Sequence, residues 1–298
     1  MTESLEQYHK PVLVKEILKY FEPSKGKKYI DCTLGDGGHT LEILRSGAQV
    51  LGLDYSTESL ARTNSRIAEE GLTKNFKGVL GNFRDVDKIA KENGFDEVNG
   101  ILYDLGYSTS QLESELGLSF LTEQPLDMRL DNTLGVTAAD LVNSLGEREL
   151  SKLIRELSDE RLANKFASAI VKFRSLKKFQ TTKELANLLK SVSPPGYENG
   201  RIHPATRTFQ ALRIAVNDEL NNLKLSLPRA ARLLLPGGLI AVISFHSLED
   251  KLVKQFGLGA QPFKLVALTS KPIEVSESEV LENVHSRSAK LRVYEKTF

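Results

Sequence analysis

Between positions 31 and 40 the chain reads Asp-Cys-Thr-Leu-Gly-Asp-Gly-Gly-His-Thr. A glycine-rich turn after a strand lets backbone come close to a ligand and opens the N–H groups of the next helix to it. Gly35, Gly37, Gly38 and His39 are therefore candidates for holding a cofactor. The match to a dinucleotide fingerprint is imperfect, because Thr40 stands where a small residue is needed. Asp31, four residues before the first glycine, suits an amine or sulfonium better than a pyrophosphate. Asp54, 19 residues after Gly35, can accept both hydroxyls of an adenosyl ribose. Phe83, after Gly81-Asn82, offers a ring to adenine, although packing in the core is the commoner fate of such a residue. With Pro236-Gly237-Gly238 before a late apolar run, these features favour S-adenosylmethionine over NAD.

A second group of residues can act on a substrate. Asp104 closes the run Ile101-Leu102-Tyr103-Asp104, at the end of a strand where open parallel sheets bind ligands. The exocyclic amine of cytosine or adenine is a poor nucleophile, because its lone pair is delocalised into the ring. A carboxylate and a backbone carbonyl (Leu105 or Gly106) that accept its hydrogens favour a pyramidal nitrogen, and the carboxylate can take the departing proton. Contact with the cofactor's amino group alone fits Asp104 equally well. Tyr107 has the spacing from Asp104 found in the Asp-Pro-Pro-Tyr motif of amino-methyltransferases acting on DNA, and can stack on a base. His246, in Ser244-Phe245-His246-Ser247-Leu248-Glu249-Asp250, fits a general base, a phosphate contact or a loop tie, while Ser247 with Asp250 reads as a helix cap. Pro125-Leu126-Asp127-Met128-Arg129 is distinctive but suggests no chemistry of its own.

The elements that must position these residues alternate. Helical spacing over Val12–Phe21 is followed by strands at Lys28–Thr33, Gln49–Asp54, Phe76–Leu80 and Val98–Asp104, with helical patterns between them. Such βα repeats imply a mostly parallel sheet. The next buried-strand pattern is Leu239–Ser244, 135 residues after Asp104, preceded by a long helical pattern over Thr208–Leu235. A helical domain inserted over 111–204 accounts for the gap and leaves 1–110 and 205–298 as one discontinuous domain.

The composition excludes several classes. With 298 residues, 40 Lys+Arg against 39 Asp+Glu and 40% hydrophobic residues, the chain is neither a uniformly basic nucleic-acid protein nor an acidic disordered one. No apolar run reaches the roughly 18 residues of a membrane span, and the first ten residues lack an export-signal pattern. Cys32 is the lone cysteine and no metal-ligand pair of the CxxC kind is present, so a reduced, cytoplasmic protein without a bound metal is expected. The near-neutral total hides a contrast. Gln111–Glu160 carries 4 basic and 11 acidic residues, and Arg161–Asn217 carries 11 basic and 2 acidic. The basic run, including Lys172, Lys177, Lys178, Arg207 and Arg213, fits either a solvated face or a surface for RNA phosphates.

Gly35 to His39, Asp104-Leu105-Gly106, Pro125 to Arg129, His203 to Arg213, Val216 to Leu220, Ser244 to Asp250 and Arg287 to Arg292 resemble the RsmH/MraW family. Those enzymes are cytosine-N4 methyltransferases of small-subunit (16S) ribosomal RNA, and the resemblance runs from His9 to Arg292. It implies a class I, Rossmann-like methyltransferase fold with a helical insertion that helps hold RNA. S-adenosylmethionine would be held by Gly37, Gly38, His39, Asp54, Phe83, Asp104 and Gln111. The substrate would be a cytidine of the decoding region in an assembled small particle; a homodimer is compatible with the sequence. Departures are Tyr107-Ser108-Thr109-Ser110 where the family has Val-Ser-Ser-Pro, Leu116 where it has Arg, and Val284-His285-Ser286 inside its Asn-Pro-Arg. The rival readings are a methyltransferase acting on a protein or small molecule, and a non-catalytic RNA-binding assembly factor. The basic run argues against a small-molecule substrate, and intact Gly37 to His39, Asp54 and Asp104 argue against a dead enzyme.

Overall fold

A computed structural model of the chain describes residues 8, 10–106, 115–259 and 263–297. In chain order the first half runs α1 (Val14–Phe21), β1 (Lys28–Asp31), α2 (Gly38–Arg45), β2 (Gln49–Asp54), α3 (Thr57–Glu69), β3 (Phe76–Leu80), α4 (Val86–Glu92) and β4 (Val98–Asp104). Among the described residues the next α-helices are α5 (Ala138–Ser144), α6 (Glu147–Ser158), α7 (Ala163–Arg174), α8 (Thr182–Val192) and α9 (Thr206–Asn217). The chain then continues through α10 (Glu219–Leu233), β5 (Leu234–Ser244), α11 (Ser247–Leu258), β6 (Lys264–Ala267), β7 (Ile273–Glu274), α12 (Glu277–Glu282) and β8 (Lys290–Thr297). Two compact units result, one from Met1–Ser108 with Leu220–Phe298 and the other from Thr109–Glu219.

The first unit is an α/β domain around one sheet of order β3-β2-β1-β4-β5-β8-β6, with β7 beside β8. Strands β1 to β5 are parallel, and β8 runs antiparallel to β5, β6 and β7. The fold is thus the mostly parallel, Rossmann-like arrangement expected. Its central strands are apolar at successive positions and buried on both faces: Leu51 and Leu53, Ile101 to Tyr103, and Ile240 to Ile243. A parallel sheet needs such strands because crossover helices cover both sides. Ile17, Leu41, Leu44 and Ile67 pack on one face, and Ala90, Leu223, Leu227, Val253 and Phe256 on the other. Strand order reverses between β1 and β4, so Asp31, Asp54 and Asp104 end adjacent strands at the switch point where such sheets bind ligands.

Two local patterns differ from the sequence reading. The helix expected over Thr208–Leu235 is two helices, because Asp218 adopts φ 50 and ends α9 just before α10 starts. Pro236-Gly237-Gly238 does not separate helix from strand but forms an irregularity inside β5. Val98 pairs with Leu234 and Gly100 with Leu239, and Gly237 takes φ 79.

The second unit buries Leu150, Ile154, Phe166, Ile170, Leu185 and Leu189 with Phe209, Leu212 and Val216 of α9. The apolar side of α9 belongs to this core, which is why the unit extends to Glu219 and not only to Pro204. The unexplained Pro125 to Arg129 segment is the organiser of the unit. Leu126 and Met128 are buried in the core, and the carbonyls of Leu126 and Asp127 accept the N–H groups of Ala139 and Ala138 at the start of α5. Arg129 pairs with Asp127 at 2.7 and 2.8 Å and donates to the Leu134 carbonyl. Asn217 ties the segment to α9 through the Met128 carbonyl and the Leu130 N–H, each at 2.8 Å. Among the described residues no helix is long and apolar enough to cross a membrane.

Candidate active site

Asp31, at the end of β1, is buried and accepts the Thr33 N–H at 3.1 Å and the Thr40 hydroxyl at 2.7 Å. Thr40, the residue that spoils the dinucleotide fingerprint, therefore ties α2 to β1. Gly37 precedes α2 with φ 72, and a Cβ there would lie 2.5 Å from Thr63 Cγ2, so only glycine fits. Among the described residues no side chain caps α2, which leaves its first N–H groups without a capping side chain.

Asp54 ends β2 and is likewise buried. Its two oxygens accept the N–H groups of Gly35 and Ser56, each at 2.8 Å, which joins the glycine turn to β2. The Asp54 carbonyl accepts the Gly81 N–H and brings the turn bearing Phe83 alongside. Phe83 is partly buried, its ring edge-on to Tyr103 at 5.7 Å, and its carbonyl accepts the Ser226 hydroxyl at 2.8 Å.

Asp104 ends β4 with its side chain 17% exposed. Its N–H donates to Thr33 Oγ1 at 2.6 Å, Oδ2 lies 3.6 Å from His39 Nδ1, and Oδ1 is buried without a partner among the described residues. His39 is 5% exposed and its Nε2 lies 2.8 Å from the Val12 carbonyl.

These groups share an electrostatic state. Burial pushes Asp31 and Asp54 up to about 6, although hydrogen bonds from Thr40 and Thr33, and from Ser56 and Gly35, pull the other way. Asp104 is held well above the ordinary carboxylate range by burial first, and then by the charges of Asp31 and Glu249. The Arg62 charge draws Asp54 down, Asp31 and Asp104 have no Lys or Arg ion pair among the described residues, and His39 is kept neutral by burial, down to about 4. Asp36, in the same turn, is by contrast paired with Arg62 at 2.9 Å. Three acids at adjacent strand ends, Asp31 and Asp54 buried and Asp104 half-buried, make a site for a cation.

His246 opens α11, where the Glu249 N–H approaches its Nδ1 at 3.4 Å. His246 itself is the cap, in place of the expected Ser247, and Asp250 instead holds Arg292 at 2.7 and 3.1 Å. Glu249 escaped the sequence reading. It is buried and accepts the N–H groups of Phe245 and His246 at 2.8 and 3.2 Å, and an acid three residues after the cap was the signal for it. Tyr107 and Gln111 lie outside the described residues.

The MraW methylase family matches residues 6–297. This chain belongs to that family. Ribosomal RNA small subunit methyltransferase H of Persephonella marina is 44% identical over 288 residues, covering 96% of this chain and 98% of the relative. Proteins of the same name from Geobacter sulfurreducens and Deinococcus radiodurans are 43% and 46% identical; they are matched over 98% and 89% of their own lengths, and over 97% of this chain in each case. The cofactor of this MraW-family chain is S-adenosylmethionine. The site suits it: the Asp104 Oδ1 without a partner among the described residues and the acids around it match a sulfonium and an amine.

In the helical unit of this MraW methylase the basic candidates separate. Arg207 is paired with Glu198 at 2.6 Å, and Arg213, only 11% exposed, with Glu219 through two bonds of 2.8 and 2.9 Å. Both guanidiniums are thus committed within their own unit, which tells against their placement among phosphate contacts. Lys177 is exposed but pairs with Glu184. Lys172 and Lys178 are exposed and have no ion pair among the described residues, as is true of Arg161 and Lys165.

Proposed function

We propose that this MraW-family chain methylates N4 of a cytidine in the decoding region of small-subunit ribosomal RNA, acting on an assembled small particle. The observation that carries the reading is the trio of carboxyls gathered at the switch point, with the one at the end of β4 bearing a buried oxygen that has no partner among the described residues. The names of the relatives support RNA as the substrate.

S-adenosylmethionine, when bound, supplies an electrophilic methyl group on a positively charged sulfur. Gly35, Gly37 and Gly38 would present backbone to its methionine part, Asp54 would accept the ribose hydroxyls, and Phe83 would meet adenine, with Gln111 as a further candidate contact. The Asp104 carboxylate accepts a hydrogen of the cytosine amine, which frees the nitrogen lone pair from the ring, and takes the proton the nitrogen sheds. Tyr107 stacks on the base. The helical unit holds RNA through the unpaired cations of the α7 side, Arg161, Lys165, Lys172 and Lys178. Lys165 and Lys172 are seven residues apart, two helical turns, and so share one face of α7.

Labelled methyl transfer to small-subunit particles that lack the modification, followed by separation of RNA from protein, tests this reading. Label in the RNA is expected. Label in a ribosomal protein would favour a protein methyltransferase, and RNA binding with no transfer would favour an assembly factor.

A further inference from the structure

His39 resembles a cofactor contact by position, yet both of its ring nitrogens are directed at the protein. Nε2 lies 2.8 Å from the Val12 carbonyl, which can only accept, so Nε2 carries the hydrogen. In a neutral ring that leaves a lone pair on Nδ1, and Nδ1 stands 3.6 Å from Asp104 Oδ2. We propose that His39 is a positioning residue for Asp104: its fixed ring sets the orientation of the carboxyl and accepts the hydrogen of Oδ2 once that oxygen is protonated. The proposal rests on the reading of Asp104 as the group that receives the amine proton.

The surroundings support a pair that shares one proton. Glu42, one turn along α2, is the other charge near His39, while Asp31 from β1 and Glu249 from α11 bear on Asp104. Burial disfavours the imidazolium and burial with those acids disfavours the carboxylate, so the neutral carboxyl beside a neutral imidazole is the stable form of the pair. At 3.6 Å the two atoms lie close but just beyond hydrogen-bonding distance. One added proton closes the contact into an Oδ2–H donated to Nδ1. In the transfer step the carbon–sulfur bond breaks with its electrons retained on sulfur, and the nitrogen–carbon bond forms. The nitrogen then loses one proton to Asp104 Oδ2, which donates it to Nδ1 as a hydrogen bond.

The test combines nitrogen NMR of the full-length protein with kinetics. In the wild type the His39 ring is expected neutral with the hydrogen on Nε2 across the neutral pH range, and its Nδ1 resonance should move in Asp104→Asn. A ring carrying its hydrogen on Nδ1, or one titrating near 6.5 like a free histidine, would overturn the proposal. His39→Asn should lower the transfer rate roughly 10- to 100-fold, below the 10²- to 10⁴-fold typical of losing a proton-transfer group, and change the dissociation constant of S-adenosylhomocysteine by less than about threefold. In an Asp104→Asn background the same change should add nothing. Additive losses, or a loss confined to cofactor affinity, would make His39 a cofactor contact. If the wild type transfers no methyl to RNA, the functional reading fails while the NMR result still decides whether the pair exists.

Discussion

Replacing Asp104 by Asn removes a charge from the site while keeping its shape, and the consequence should depend on the charge of the ligand. The side chain is 17% exposed, one oxygen is buried without a partner, and no Lys or Arg compensates it among the described residues. A unit positive charge about 4 Å from a carboxylate contributes about 4 kcal/mol at an effective dielectric of about 20. Part of that is spent ionising a carboxyl that burial, Asp31 and Glu249 hold well above its usual range. A net loss of about 2 kcal/mol, near 30-fold in affinity, is therefore expected for S-adenosylmethionine. S-adenosylhomocysteine lacks the sulfonium charge and should lose less than about fivefold. Calorimetric titration of wild type and Asp104→Asn with both ligands reads this difference directly. A second signature is proton release. Because the cation draws the Asp104 carboxyl down, S-adenosylmethionine should displace up to one proton more than S-adenosylhomocysteine, and the excess should vanish as pH rises and the carboxyl is already ionised. Equal losses for the two ligands, or no loss for either, would refute the placement of Asp104 beside the transferred charge.

The remaining expectations concern other parts of the chain. Asp54→Ala should weaken S-adenosylmethionine binding at least tenfold by calorimetry, because it removes the ribose acceptor and leaves the N–H groups of Gly35 and Ser56 unpaired. In the wild type that affinity should fall as pH drops through about 6, where Asp31 and Asp54 take up protons, and the Asp54→Asn titration should show a shallower fall. Gly117→Ala, at φ 72 with its Cβ 2.2 Å from the Pro125 carbonyl oxygen, should cost more than about 2 kcal/mol, read as a lower melting temperature. Replacing Arg161, Lys165 and Lys172 together by Ala should reduce the slope of log affinity for RNA against log salt by about 2 to 3, whereas Arg213→Ala should leave it unchanged.

The sheet was legible because its signals are local: apolar runs of strand length, a glycine turn after the first and an acid ending each of three. Asp31, Asp54 and Asp104 could be named from that pattern alone, since a strand's last residue in a parallel sheet faces the ligand edge. What the sequence concealed depends on how the chain turns and on contacts between segments. Arg213 makes its two-point pair with Glu219 past the break at Asp218, and charge counting treats a committed guanidinium like an exposed lysine. Pro125 to Arg129 is distinctive in sequence without showing its role there; its reason is backbone bonding to α5 and α9, which no periodicity encodes. The break at Asp218 was hidden because an apolar helical spacing continues across it, while one left-handed residue redirects the chain. His39 reads as part of a glycine turn, and only its two contacts reveal that it is held between Val12 and Asp104.

The most direct measurement is nucleoside mass spectrometry of small-subunit RNA after reaction of unmodified particles with this protein and isotopically labelled S-adenosylmethionine. Labelled N4-methylcytidine at a single decoding-region position, lost with Asp104→Asn, is the predicted result. Label on a ring carbon, on a ribose oxygen or on another base would contradict a carboxylate that prepares an exocyclic amine for methyl transfer.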